Sequence, residues 1–368
     1  MSSGSELRVV LTGGGSGGHL YPLIALWQTA VRRYARLRTW YVGSRWGLEA
    51  ERPLPPDWTV QLVRVRGIRG TRFWTRTYRV GEMLAQALRL AIQYGRWRPH
   101  VVIASGGYAS GPAAFAAVLR RVPLVLHEQN VHPGWATRWL QRWASAVALT
   151  YPTDYPFRPP IRVVGNPVRQ EFFTIPTDRP PWPPFRILVL GGSQGAAWLN
   201  RHIPDLVERL RTLGQHIEVF HQTGPVDVDC VRRRYRLAGI PAEVCAFHDR
   251  IWEVFARSHL VICRAGSTTL AELAAARMAA VLIPLEGVAG DHQYANARYW
   301  SDIGAGWMVR QHEPIDRLVT LCTMLYNAPE QWQAVRIRAG TLARPHAAAE
   351  LWEWLENLHV IPRTDQPE

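Results

Sequence analysis

The sequence predicts an α/β protein built from two parallel-sheet, Rossmann-like domains that face one another across a cleft. Three observations carry that prediction. At 368 residues the chain is long for a single core. Short apolar runs alternate with segments of helical periodicity, the pattern that gives parallel sheets with helices on both faces. A glycine-rich turn between a strand and a helix occurs twice, as "TGGGSGGHLYP" at 12–22 and "LGGSQGAAWLN" at 190–200.

In the first domain, residues 1–166, aliphatic runs bounded by polar or glycine residues place strands at Leu7 to Leu11, Thr39 to Gly43, Val101 to Ala104, Leu124 to His127, Ala146 to Leu149 and Arg162 to Val164. In the second, residues 167–344, they fall at Ile187 to Leu190, Glu218 to Gln222, Glu243 to Ala246, Leu260 to Cys263, Ala280 to Ile283 and Gly306 to Val309. Helical spacing marks "YPLIALWQTAVRRYARL", "GEMLAQALRLAIQYGRW" and the C-terminal "AAAELWEWLENLHVI". The proline-dense "TIPTDRPPWPPF", 174–185, reads as a linker. Ligands in such sheets bind beyond the carboxyl ends of the strands, where "SGGYASGP", "HEQN", "GNPVR" and "RAGSTTLAE" fall.

All 43 basic side chains are arginine, against 29 acidic ones, for a net charge of +14. That balance implies an anionic partner: nucleic acid, an acidic membrane or a phosphorylated substrate. The four cysteines, at 230, 245, 263 and 322, have no metal-ligand spacing, which suits a reducing compartment and argues against structural zinc. The opening "MSSGSELRVV" lacks the pattern of a signal peptide, and no run is long and apolar enough to span a bilayer. A soluble or peripheral cytosolic protein is expected.

Gly13, Gly15 and Gly18 satisfy G-x-G-x-x-G, a turn that brings a diphosphate close to backbone N–H groups at a helix start. A dinucleotide site also needs an acidic residue at the end of the second strand, and "RTWYVGSRWG" offers Gly43, Ser44 and Arg45 there. NAD or FAD binding is therefore not expected, and His19 needs another role. Farther on, Arg64, Arg66, Arg69, Arg72, Arg76 and Arg79 surround Phe73, Trp74 and Tyr78. Basic residues interleaved with aromatics suit single-stranded nucleic acid or an anionic membrane surface, and the segment itself does not choose.

The motifs "GGGSGGH", "SGGYASGP", "HEQN", "GNPVR", "GGSQGA", "RAGSTTLAE" and "DHQYANA" occur in this order over nearly the whole chain. With them the sequence resembles the MurG family of peptidoglycan glycosyltransferases. The resemblance implies a GT-B fold, UDP-N-acetylglucosamine as donor and lipid I, the undecaprenyl-diphosphate-linked N-acetylmuramyl-pentapeptide, as acceptor. It implies inverting transfer to the muramyl 4-hydroxyl without metal or cofactor, at the cytoplasmic face of the inner membrane. The implied partners are the two substrates, an anionic membrane surface and other cell-wall synthesis proteins, and no nucleic acid. The C-terminal helix, about 345–360, is expected to pack back on the first domain.

The resemblance also implies roles. A departing diphosphate needs preorganised donors, which helix N-termini can supply. Ser193 is expected at the diphosphate, and the backbone of Ser267, Thr268, Thr269, Leu270 and Ala271 against the donor. Glu272 is expected on the ribose hydroxyls, Phe247 and His248 at the uracil, and Asn130, Arg169 and Gln293 at further donor contacts. Ser16, Gly17 and Gly18 fall near the donor sugar, and Ser16 keeps the hydroxyl of the family's usual threonine. Inverting attack needs a base on the acceptor hydroxyl, for which His19 and Glu128 both stand as candidates, Glu128 alternatively orienting an acceptor group. Tyr108 is expected to line the acceptor pocket, as is Thr137, which stands where the family usually has asparagine. Arg69, Arg72, Phe73, Trp74 and Arg76 form the expected membrane face. A UDP-N-acetylglucosamine 2-epimerase and a nucleic-acid-binding protein are the rival readings. The "DVD" at 227–229 imitates a metal motif of another glycosyltransferase fold and reads as a solvated loop.

Overall fold

The computed structural model describes residues 6–67, 73–287 and 291–363. They form two compact units, one running to Arg169 and resumed from Arg344, the other spanning Gln170–Ala343. The first contains β1 (Leu7–Thr12), α1 (Gly17–Arg33), β2 (Leu37–Ser44), β3 (Trp58–Val63), α2 (Phe73–Trp97), β4 (Val101–Ala104), α3 (Gly111–Arg120), β5 (Leu124–Glu128), α4 (Trp135–Leu140), β6 (Ala146–Leu149) and β7 (Ile161–Val163). Its parallel sheet has the order β3-β2-β1-β4-β5-β6-β7. Successive side chains point to opposite faces. Leu7, Val9 and Leu11 therefore join Leu20, Leu23 and Leu26 in one core layer, while Val10, Val102 and Ala104 join Leu90 and Ala113 in the other. The edge strand β3 goes beyond the sequence reading, because only Trp58 and Val63 at its ends are buried and no apolar run marks it.

The second unit contains β8 (Phe185–Leu190), α5 (Ala197–Thr212), β9 (Ile217–Gln222), α6 (Val228–Leu237), β10 (Ala242–Cys245), α7 (Ile251–Arg257), β11 (Leu260–Cys263), α8 (Ser267–Ala275), β12 (Ala279–Leu282), α9 (His292–Asp302), β13 (Trp307–Met308), α10 (Ile315–Asn327) and α11 (Pro329–Thr341). Its sheet, also parallel, has the order β10-β9-β8-β11-β12-β13. Each sheet reverses its direction of growth once, between β1 and β4 and between β8 and β11. At such a switch point the flanking loops part and leave a crevice at the carboxyl ends.

The proline stretch is not a free linker. It lies inside the second unit, where Trp182 packs edge-on against Phe185 and Trp332, and His259 Nε2 donates to Pro180 O at 2.7 Å. Arg179 donates to Ala276 O at 2.7 Å, and Arg336 of α11 donates to Thr177 O and, at 3.0 Å, to Arg277 O, so two guanidiniums hold the stretch against the turn that follows α8. Prolines deny it a ladder of its own, and the buried tryptophan and arginine bonds fix it instead.

After α11 the chain returns to the first unit as α12 (Ala347–Asn357). Leu351, Trp352, Trp354 and Leu355 enter the core layer shared with α1, and Trp352 Nε1 donates to Leu26 O at 2.9 Å. Arg33 forks onto Glu356 at 3.0 and 2.5 Å, and the Tyr34 hydroxyl donates to the same carboxylate at 2.7 Å. Glu356→Ala strands both donors, so we expect it to cost about 3 kcal/mol in urea unfolding. A loss under 0.5 kcal/mol, the ordinary range for a surface change, would show that this clasp contributes little.

Candidate active site

At the switch point of the first unit, β1 runs into the turn Gly13–Ser16 and α1 begins at Gly17, which puts Gly18 and His19 in its first turn. The turn after β4 holds the imidazole: His19 Nδ1 lies 2.8 Å from Ser105 O, and Ser105 Oγ donates to His19 O at 2.8 Å. A carbonyl oxygen only accepts, so Nδ1 carries the proton and Nε2 presents its lone pair. Burial holds the His19 pKa below its ordinary value, against the Ser105 carbonyl, the charge of Glu128, the Gln129 side chain and the charge of Glu49. The imidazole is thus neutral at neutral pH. Gly107, at φ +74°, leaves room for it: an added Cβ would lie 2.9 Å from Gly14 O and 3.0 Å from His19 Cδ2. Tyr108 follows, and its ring packs over Gly15.

Glu128, at the end of β5, is buried and accepts from Asn130 N and Nδ2 at 3.1 Å, Gly134 N at 2.8 Å and Thr137 Oγ1 at 2.5 Å. The carboxylate ties its own loop to the start of α4. Thr137 is buried and spends its hydroxyl on that carboxylate rather than facing an open pocket. Arg169 lies over the Tyr21 ring at 4.7 Å. Ser16 stands at the N-cap of α1, immediately before Gly17.

In the second unit the glycine turn after β8 is built by close backbone approach. Gly195, at φ +83°, would place a Cβ 2.3 Å from Thr223 O, and Gly224, at φ +80°, would place one 2.5 Å from Gly195 Cα. Ser193 sits half-buried on the arc of that turn. After β11 the helix α8 starts at Ser267 behind Gly266, with Ser267 and Thr268 buried and Thr269, Leu270, Ala271 and Glu272 following. Its first N–H groups have no partner within the helix, which makes the end an anion-accepting one. Glu272 is buried one turn in. At the same carboxyl edge of the sheet, His248 N donates to Gln222 Oε1 at 3.0 Å, Phe247 is half-buried, and Gln293 Oε1 accepts from Leu285 N at 3.0 Å. The expected residues thus form two groups, each at the carboxyl end of its own sheet.

Two family models match this chain: the glycosyltransferase family 28 N-terminal domain over residues 9–149 and the C-terminal domain over 186–351. The chain belongs to glycosyltransferase family 28. Among its family 28 relatives, one from Myxococcus xanthus (strain DK1622) is 35% identical over 358 residues, covering 96% of this chain and 94% of the relative. One from Magnetococcus marinus is 35% identical over 365 residues, covering 97% and 98%. Both are named "UDP-N-acetylglucosamine--N-acetylmuramyl-(pentapeptide) pyrophosphoryl-undecaprenol N-acetylglucosamine transferase". The crystal structure of Acinetobacter baumannii MurG matches with a TM-score of 0.74 at 25% identity, over 95% of this chain and 99% of that one. The fold is GT-B. A UDP-N-acetylglucosamine 2-epimerase structure matches with a TM-score of 0.65 at 12% identity, a likeness of fold alone.

Sequence reasoning missed several residues that build the two groups. Ser105 and Gln222 are ordinary polar residues whose importance rests on partners 86 and 26 positions away. Glu49 is buried against the first glycine turn, and no spacing in the sequence connects the two. His221 is buried in a polar chain: Nδ1 lies 3.0 Å from the Tyr235 hydroxyl and Nε2 3.1 Å from Asn200 Oδ1, while Asn200 Nδ2 reaches Thr223 O and Asp227 Oδ2. Asp227 is therefore not in a solvated loop. It stands at the head of α6, and Asp229 in the first turn pairs with Arg232 at 2.7 Å. Among the described residues no group of His, Cys, Asp and Glu is arranged to hold a metal ion.

The buried histidines predict an acid limit. Burial lowers the His221 pKa from 6.5 to about 3 and that of His127, bonded through Nε2 to Gly165 O at 3.1 Å, to about 4. The unfolded chain protonates both near pH 6.5, whereas the folded chain does so only near those lowered values. Their contribution to stability is thus complete above pH 6.5 and is lost as the pH falls towards 4 and 3, at up to about 1.4 kcal/mol per pH unit each. Urea unfolding of wild type and His221→Gln at pH 7.5 and 4.5 checks this, with a smaller acid loss expected in the variant.

Of the expected membrane face, Arg69 and Arg72 lie outside the described residues, and Phe73 and Arg76 belong to the first turns of α2. Trp74 is 81% exposed and Tyr78 69%, and Leu88 and Ile92 fall on the same side of α2 by helical spacing and are exposed too. Trp135 and Trp143, near α4, are further exposed rings, and the Arg142 guanidinium lies 5.2 Å from the Trp143 ring. Among the described residues no helix is long and apolar enough to cross a membrane.

Proposed function

We propose that this protein is a UDP-N-acetylglucosamine-dependent inverting transferase that adds N-acetylglucosamine to the muramyl 4-hydroxyl of lipid I, working at the cytoplasmic face of the inner membrane. One observation carries the reading. A chain that aligns nearly end to end with transferases of that name holds a neutral histidine, locked in one tautomer, at the switch point of its first unit.

The acceptor hydroxyl gives its proton to His19 Nε2 while its oxygen bonds the anomeric carbon, and the bond from that carbon to the diphosphate oxygen breaks on the opposite side. UDP leaves with the negative charge. The N–H groups at the start of α8 and the turn carrying Ser193 receive it. The backbone from Ser267 to Ala271 lies along the donor, Glu272 accepts from the ribose hydroxyls, and Phe247 lies against the uracil. Because the His248 N–H is given to Gln222, its carbonyl oxygen is the group left to read the base edge. Asn130, Arg169 and Gln293 supply further donor contacts, Ser16, Gly17 and Gly18 face the sugar, and Tyr108 lines the acceptor. Glu128, already accepting four hydrogen bonds, serves as an orienting residue, leaving the base role to His19.

The exposed side of α2 docks on anionic lipid, with Trp74, Tyr78, Leu88 and Ile92 meeting the acyl boundary and Arg45, Arg64 and Arg89 beside them. Each arginine near the surface contributes about 1 kcal/mol. Release of UDP in the presence of EDTA tests the proposal. We expect release only when a lipid-linked muramyl acceptor is present. Conversion of UDP-N-acetylglucosamine without acceptor would favour an epimerase instead.

A further inference from the structure

We propose that Glu49 is a positioning residue for the first glycine turn: its carboxylate fills the place where such a turn holds phosphate, and so turns a nucleotide cradle into a rigid mount for His19. The inference rests on the reading of His19 given above.

The carboxylate is enclosed. Glu49 sits in the short turn Leu48–Ala50 after β2 and is 3% exposed. Oε1 accepts from Ser44 N at 2.7 Å, and Gly15 N donates to Oε2 at 2.9 Å and Oε1 at 3.2 Å. The glycines around it make that room: a Cβ on Gly14 or Gly47 would lie 2.2 Å from a Glu49 oxygen, and one on Gly43 would lie 2.9 Å from its Cγ. On the other side of the turn the Tyr41 hydroxyl donates to Gly13 O at 2.6 Å. The backbone between β1 and α1 is thus held at both an N–H and a carbonyl. In a dinucleotide turn, N–H groups of the fingerprint point at phosphate. Here the Gly15 N–H is spent on an internal anion, so a phosphate at that spot would meet a carboxylate. The missing acid at the end of β2 is present after all, displaced to Glu49 and turned inward onto the glycines. The fingerprint therefore keeps its geometry and loses its ligand.

The isosteric Glu49→Gln tests this in the full-length protein. We expect kcat to fall at least tenfold while UDP affinity and the KM for UDP-N-acetylglucosamine stay within twofold. Glu49→Asp, which keeps the charge and withdraws it, gives a smaller loss. In a His19→Ala background the same Glu49→Gln change alters residual turnover by less than twofold, the non-additivity of residues acting as one unit. The acid limb of the kcat profile moves to lower pH, because one of the negative charges raising the His19 pKa is gone, while Glu128, Gln129 and His127 still face the ring. A Glu49→Gln loss of equal size with or without His19, a parallel loss of UDP affinity, or unchanged kcat would each overturn the proposal. Full turnover by His19→Ala alone sinks the assignment of the base instead, and that arm is read separately.

Discussion

His19→Ala lowers kcat by about 10²- to 10⁴-fold, the range for removal of a positioned general base, and leaves UDP affinity within twofold of wild type. The two halves of that expectation have different structural sources. The Ser105 carbonyl fixes the tautomer and burial keeps the ring neutral, so the loss falls on proton transfer from the acceptor hydroxyl. The loops proposed to read the nucleotide, in contrast, follow β8, β10 and β11, all in the second unit. A mutant that loses both UDP affinity and turnover would point to a general collapse of the site rather than to missing base chemistry. Isothermal titration with UDP beside steady-state kinetics separates the outcomes.

The second large effect is expected at Gly195. Gly195→Ala forces a side chain into the left-handed region at φ +83° and drives its Cβ to 2.3 Å from Thr223 O, a backbone atom that cannot swing away. The backbone term alone is about 1–2 kcal/mol, and overpacking adds about 1–3 kcal/mol. The turn that carries Ser193 must therefore shift, and UDP affinity should fall by about a hundredfold, which corresponds to about 2.7 kcal/mol. Gly192→Ala is the control, because its φ of +78° is similar but nothing lies within 4 Å of the added Cβ. Only the backbone term applies there, and UDP affinity should fall about tenfold or less. Equal losses in the two variants would remove the argument from close packing.

Much of this architecture is legible in the sequence because it depends on local signals. Apolar runs such as Val101–Ala104 and Leu260–Cys263 are recognisable strands, since parallel strands are buried on both faces and need no alternation. The glycine turns are legible for the same reason: Gly107 and Gly195 hold conformations that side chains resist. What depends on distant partners is not legible. The edge strand β3 hides behind a proline-rich approach. The proline stretch reads as a linker until Trp182 is seen packed against Trp332, 150 positions away in a chain of 368. Glu49 and Gln222 carry no motif, and only the fold brings them to Gly15 and His248. Thr137 is a similar case, since its contact with Glu128 follows from the loop's path and not from its residue type.

The proposed transfer can be followed as labelled N-acetylglucosamine passing from UDP-N-acetylglucosamine into an undecaprenyl-diphosphate-linked muramyl-pentapeptide, with EDTA present and the linkage formed determined. The expected result is label in the lipid product, β-linked to the muramyl 4-hydroxyl, at a rate that EDTA leaves unchanged. Tight UDP binding with no label in the lipid would contradict it.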